Sequence, residues 1–260
     1  MCCISPAGGA SYLAFLRPLQ SVLGFLTILP AGKEHDIRFV ASNMYLFPVA
    51  GIVIGAIVGA MAFGISPYLH PLVIGLLVTG AFVIITGVHH TDALADFADG
   101  LMAKGDKESK RKAMSDPAVG SAGVAALVLY FAGMIIVFQV GSLQGYGILL
   151  AIITAEVIAK YLMVLLAHRG VSAWEGFSSP FIAAMKDRRK VLAASGIMIV
   201  VVWFAGGYAG LVAFVVSLCI AAIMKYVSGK SFGGISGDVL GATNEVTRLA
   251  SLMVLASVVI

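Results

Sequence analysis

Charge is what this sequence lacks most. Asp, Glu, Lys and Arg make up 12% of its 260 residues, about half the share found in soluble globular domains. With 60% hydrophobic residues and a mean hydropathy of +1.01, the chain reads as one that lives in a bilayer. Cysteine is nearly absent as well. Cys2, Cys3 and Cys219 match neither a disulfide framework nor a metal-ligand spacing, and no role is assigned to them. The front of the chain lacks a basic secretory start, its first charge being Arg17, so it is expected to be mature as written. The net charge of +4 is scattered between apolar segments, which fits membrane orientation and argues against nucleic-acid binding.

Long apolar runs take the place of charge. Crossing about 30 Å of hydrocarbon takes roughly 17 to 25 helical residues, and the runs 43–66, 72–89, 120–140, 147–168 and 239–260 all qualify. Residues 191–224 are too long for one crossing and are interrupted by Gly206, Gly207 and Gly210, which predicts a hairpin of two helices. Residues 11–30, broken by Arg17-Pro18 and closed by Pro30, fit either a further span or an interfacial segment. The expected fold is all-α: a polytopic integral membrane helical bundle of about seven transmembrane helices plus an N-terminal apolar segment, forming one domain over 1–260. Every loop rich in Lys or Arg, at 31–42, 90–119, 169–190 and 225–238, falls on one side, and the intervening loops carry none. Basic loops stay inside, so the chain is expected to be a multi-pass protein of the cell membrane with these loops in the cytoplasm. Most carboxylates share that side, which places any chemistry there.

The densest of them lie in VHHTDALADFADG, residues 88–100. No proline interrupts 90–103, so a helix continuing from the preceding span is expected, with Asp92, Asp96 and Asp99 at i, i+4 and i+7 on one face. Gathered carboxylates repel, and a charge at mid-bilayer costs about 2.5–3.5 kcal/mol. Two readings are open: a solvated face balanced by the basic residues downstream, or a site for a hard cation such as Mg²⁺, which shares its oxygen ligands with substrate phosphates. His89 and His90 precede the cluster and, being adjacent, point apart, so at most one shares its face.

Two further stretches carry chemistry. KGDKESKRKAMSDPAVGSAG, residues 104–123, leads basic residues into the helix beginning near Gly120 and Gly123, where free N–H groups favour an anion such as phosphate. No P-loop pattern accompanies it, and a basic run alone is more often a topology signal. GKSFGGISGDVLGATNEVTRL, residues 229–249, brackets Asp238 with Gly233, Gly234, Gly237 and Gly241 and continues to Asn244 and Glu245. It fits a ligand-facing loop or a flexible turn with a capping Asp. Gly51, Gly55 and Gly59 repeat at four-residue spacing and predict close helix packing, and Glu156 and Lys160 are spaced to pair inside a span.

These motifs together resemble the cobalamin synthase family, the membrane-embedded adenosylcobinamide-GDP ribazoletransferases. FLTILP at 25–30, FPVAGIVIGA at 47–56, HTDALADFADGL at 90–101, MSDPAVGSAGV at 114–124 and GGISGDVLGATNE at 233–245 are similar to family segments along nearly the whole chain. Thr91, Ala93, Pro117, Ala118 and Ser236 depart from the usual residues, and none of these changes removes an acid. The resemblance implies transfer of α-ribazole, or its 5'-phosphate, onto the cobinamide phosphate of adenosylcobinamide-GDP, with release of GMP and dependence on Mg²⁺. It implies that Asp92, Asp96 and Asp99 are the catalytic residues holding Mg²⁺, one of them accepting the hydroxyl proton, with Asp116 and Asp238 as further ligands or base. Lys104, Arg111 and Lys112 are the candidates for the phosphates and guanosine end, and His90, Gly120, Gly237 and Asn244 complete the candidate substrate contacts. Expected partners are these small molecules, membrane lipid, and either a second copy or other late cobalamin enzymes.

Two alternatives stand beside it. A CDP-alcohol phosphotransferase shares part of its D-x-x-D-G-x-x-A-R motif with Asp96, Asp99, Gly100 and Ala103, but the second half of that signature is missing. A cation transporter using intramembrane aspartates would place them near mid-span, whereas here they gather at span ends.

Overall fold

The computed structural model describes residues 9–30, 36–140 and 143–258; Cys2, Cys3 and Lys33 lie outside them. Its helices run in the order α1 (Gly9–Leu26), α2 (Ile37–Ser42), α3 (Phe47–Ile65), α4 (Pro71–Ile85), α5 (His89–Met102), α6 (Lys107–Met114), α7 (Ser121–Val140), α8 (Tyr146–Arg169), α9 (Ser179–Ala184), α10 (Arg188–Val201), α11 (Gly207–Phe232) and α12 (Gly237–Ser257). The β-type pairing among the described residues is one parallel bridge between Ser172 and Ile235. The chain is an all-α membrane bundle.

Helix α8 is its axis. Residues from Ala151 to Ala167 are almost all buried, so this helix is enclosed by protein rather than lipid. The glycine ladder of α3 lets that helix lie directly on it: a Cβ on Gly55 would stand 2.7 Å from the Ile153 Cα, and one on Gly51 3.1 Å from the Glu156 carbonyl. The expectation of close packing at four-residue spacing holds, and its partner is α8.

The expected hairpin over 191–224 is present. A wider π-turn at Val202–Gly206 leads into Gly207, whose φ of +55° suits glycine alone, and the chain reverses. Tyr161 of α8 proves the reversal by touching both arms, hydrogen-bonding Ser195 at 3.0 Å and packing its ring 6.0 Å from Phe214. On a straight helix those two residues would be about 28 Å apart.

Two expected spans differ from the expectation. The 72–89 run ends at Ile85, and α5 leaves α4 at 93° instead of continuing it. Gly87 and Val88 both adopt left-handed φ, +65° and +69°, and two such residues in succession end the helical path; for the β-branched Val88 this is a strained position. The runs Met44–Ile65, Ser121–Gln139, Tyr146–Arg169 and Arg188–Phe232 are each long and apolar enough to cross a membrane. Helix α12 is not among them, because Asp238, Glu245 and Arg248 lower its apolarity, and it sits packed among α5, α7, α8 and α11. Helix α1 continues through Pro18 and rests on α2 and α3.

Candidate active site

The crosswise helix α5 carries the acidic motif. Lys110 closes its C-terminal end by donating to the carbonyls of Leu101 and Ala103, both at 2.7 Å. Gly241 brings α12 against it, since a Cβ there would stand 2.5 Å from the Ala93 Cβ. This contact sets the α5 acids beside Asp238 in the first turn of α12, a helix capped by the Ser236 hydroxyl accepting from the Val239 N–H.

Asp92, Asp96 and Asp99 lie along α5 as the spacing predicts, but in unequal surroundings. Asp92 is exposed; Asp96 and Asp99 are half-buried. Asp99 spends both oxygens on the start of α7, accepting from Gly120 N at 2.7 Å and Gly123 N at 2.8 Å. The anion expected at that helix N-terminus is therefore a carboxylate of the protein, not a phosphate. Both glycines are needed there, because a Cβ on either would strike the Asp99 carboxylate. Asp96 is pushed up to about 6 by burial, then by the charges of Asp92, Asp238 and Asp99. Burial likewise raises Asp238, against the opposing hydrogen bond from Ser236.

None of the ion pairs among the described residues involves these four acids. Nor do any three His, Cys, Asp or Glu side chains among those residues converge enough to hold a metal unaided. The donor set is all oxygen, mutually repelling and without a basic partner. It fits Mg²⁺ in its usual manner, one or two carboxylates with the rest of the shell from water and substrate phosphate.

Two cavities lie toward opposite ends of α5. The larger, about 710 Å³, meets its N-terminal end at His89, His90 and Ala93, with Gly237, Asp238 and Gly241 beside them and Phe25, Phe47, Phe177 and Phe181 among its apolar lining. The smaller, about 310 Å³, is lined by Asp99, Met102, Ala103, Asp116 and Gly120. Asp96 stands between these two stretches of α5, and Asp92 within the first.

The other predicted contacts divide. Gly120, Gly237, Asp238, Asp116 and His90 line a cavity. Lys104, Arg111 and Lys112 are exposed and line neither, and the Arg111 guanidinium lies 4.6 Å over the Trp174 ring. Asn244 is fully buried, taking a hydrogen bond from Lys160 Nζ at 2.9 Å and giving one to Glu245 at 2.8 Å. Its amide nitrogen is 3.5 Å from Nδ1 of His90, which itself lines the larger cavity.

Behind the site lies a buried charge network. Glu156 pairs with Lys160 at 3.1 Å, as expected, and also with Arg248, which reaches Glu245 and, at 3.1 Å, the Tyr130 hydroxyl. The two acids and two bases each have partners, and the network reaches the larger cavity at His90, whose Nδ1 lies 3.8 Å from Glu245. Sequence reasoning passed over Arg248, although its place three residues after Glu245 in an apolar run was a signal. It also missed the four phenylalanines, which come from distant segments with no shared pattern.

The family model described as cobalamin-5-phosphate synthase matches residues 18–256. A protein of Methanocella arvoryzae called adenosylcobinamide-GDP ribazoletransferase is 30% identical over 94% of this chain and 96% of its own length. Proteins of the same name from Archaeoglobus fulgidus and Thermococcus kodakarensis are 31% and 32% identical, each over 92% of this chain and 97% and 98% of theirs. No solved structure matches. With the acidic helix, the glycine-bracketed Asp238 and a family match spanning nearly all of it, the chain belongs to the cobalamin-5-phosphate synthase family.

Proposed function

We propose that this protein assembles the nucleotide loop of cobalamin. A hydroxyl of α-ribazole, or of its 5'-phosphate, attacks the phosphorus that carries adenosylcobinamide in adenosylcobinamide-GDP. A new P–O bond forms, the bond to the bridging oxygen breaks, and GMP leaves. The supporting observation is the nearness of Asp92, Asp96 and Asp99 on α5 to Asp238 on α12, with no basic partner, beside two cavities toward the ends of α5. Phosphoryl transfer needs positioning and charge neutralisation more than covalent chemistry from the protein.

Asp92 and Asp96 would hold Mg²⁺, with Asp99 locked beside them by Gly120 and Gly123 and Asp238 as a further ligand. Bound there, the ion would offset the charge of the diphosphate. One of these carboxylates would take the hydroxyl proton. Lys104 and Lys112 are free to meet the nucleotide from the rim. The Lys- and Arg-rich loops at this end support an orientation toward the cytoplasm in a cell membrane.

The test is direct. Purified protein in nanodiscs, given adenosylcobinamide-GDP, α-ribazole and Mg²⁺, should release one GMP per corrinoid product formed. Absence of GMP with authentic substrates would refute the assignment.

A further inference from the structure

Four phenylalanines from three helices and a loop share one cavity wall. Phe25 of α1 packs its ring 5.9 Å from Phe177, 5.3 Å from Phe181 of α9 and 6.3 Å from Phe47 of α3. Phe177 and Phe181 are 6.1 Å apart, and the planes of Phe25 and Phe177 differ by only 25°. Three of these rings sit in the protein, whereas Phe177 is 62% exposed, leaving much of its surface without a protein neighbour. The same cavity is also lined by Asp238, His89 and His90. At Gly237 a Cβ would meet nothing closer than Phe177 at 4.0 Å, so the glycine leaves the polar end open.

We propose that this cavity binds the planar aromatic base of the nucleoside acceptor, its base against Phe177 and Phe25 and its ribose toward Asp238. The inference rests on the proposed transferase reaction and adds the location of one substrate. Its volume of about 710 Å³ lies within the range of sites that enclose small ligands, roughly 300–1,000 Å³. The corrinoid half of the donor suits it poorly, since the many side-chain amides of that macrocycle would face phenylalanine and lose hydrogen bonds. A lipid acyl chain would match the rings but leave Asp238 and His90 facing hydrocarbon. A flat base with a polar sugar satisfies both walls, and offset stacking on aromatic rings adds to its burial. The sugar hydroxyl would then emerge beside the α5 acids.

Binding of α-ribazole alone, by calorimetry on the whole protein in nanodiscs, tests this without the donor. Saturable binding is expected, weakened roughly tenfold by Phe177→Ala, the scale of a lost aromatic pair. The same variant should raise KM for α-ribazole about tenfold and leave KM for adenosylcobinamide-GDP within about twofold. Phe177 is exposed, so its removal spares the fold; Gly237→Val, which narrows the cavity at its polar end, provides a second reading in the same direction. Failure of wild type to bind α-ribazole overturns the subsite. So does indifference of α-ribazole to both variants, a rise in KM for the corrinoid instead, or loss of co-purifying lipid in Phe177→Ala with α-ribazole affinity unchanged. If α-ribazole binds as described and GMP is never released, the subsite stands and the reaction fails; the converse pattern refutes the subsite alone.

Discussion

Asp99 and Asp96 are three residues apart on one helix and carry the same carboxylate, yet their surroundings give them different work. Asp99 holds two backbone N–H groups of α7, so its loss removes a helix cap as well as a site charge. Asp99→Ala should lower stability by about 1–2 kcal/mol, the upper range for caps, visible as a lower thermal midpoint in detergent. Asp96→Asn keeps shape and relieves repulsion. It should keep or raise that midpoint while reducing GMP release by at least about 100-fold, as loss of an acid that holds the ion or takes the proton would. Equal midpoints for Asp99→Ala and wild type would remove the capping role.

The pH dependence follows from the same residue. Asp96 titrates at about 6 in the fold, against an ordinary 3.8, chiefly because it is buried and then because acids surround it. A carboxyl raised in this way favours the fold fully below about 3.8 and loses that contribution as pH rises through about 6. In excess EDTA, stability should therefore fall between pH 4 and 7. Added Mg²⁺, which binds the ionised form, should reverse the fall increasingly as pH rises. A thermal midpoint that rises over this window in EDTA would contradict the assignment.

At the scale of elements, small residues and buried charges decide how helices meet. Gly55 places α3 on the backbone of α8 with no room for a side chain, so Gly55→Leu should destabilise by about 1–3 kcal/mol or more through overpacking. Arg248 joins Glu156 of α8 to Glu245 of its own helix inside the bundle. Arg248→Met leaves both acids short of a partner and should cost about 3–5 kcal/mol. Lys160→Met, which leaves Glu156 still paired to Arg248, should cost less; the reverse order in thermal unfolding would show that Arg248 is not the hub.

For the whole molecule, composition and periodicity made the bundle legible, because apolar length and basic loops follow directly from what a bilayer demands. The glycines at 206, 207 and 210 disclosed the reversal, and those at 51, 55 and 59 a helix contact, although not its partner. The turn at Gly87 and Val88 was hidden, since valine gives no hint of a left-handed backbone. Spacing placed the α5 acids on one helix but was silent on which neighbour each would find. The partner of Asp99 is 21 residues away, and the approach of Asp238 depends on Gly241 meeting Ala93. Asn244 looked like a ligand contact by its neighbourhood in sequence, and is held by Lys160, 84 residues distant. Long-range packing of this kind leaves no local pattern.

The central claim is that the α5 carboxylates grip a divalent ion shared with the donor diphosphate. Electron paramagnetic resonance of Mn²⁺ titrated into the purified protein tests it most directly. Affinity should be weak alone, tighten at least about tenfold with adenosylcobinamide-GDP, and vanish in Asp96→Asn. Mn²⁺ binding indifferent both to the donor and to Asp96→Asn would contradict the account.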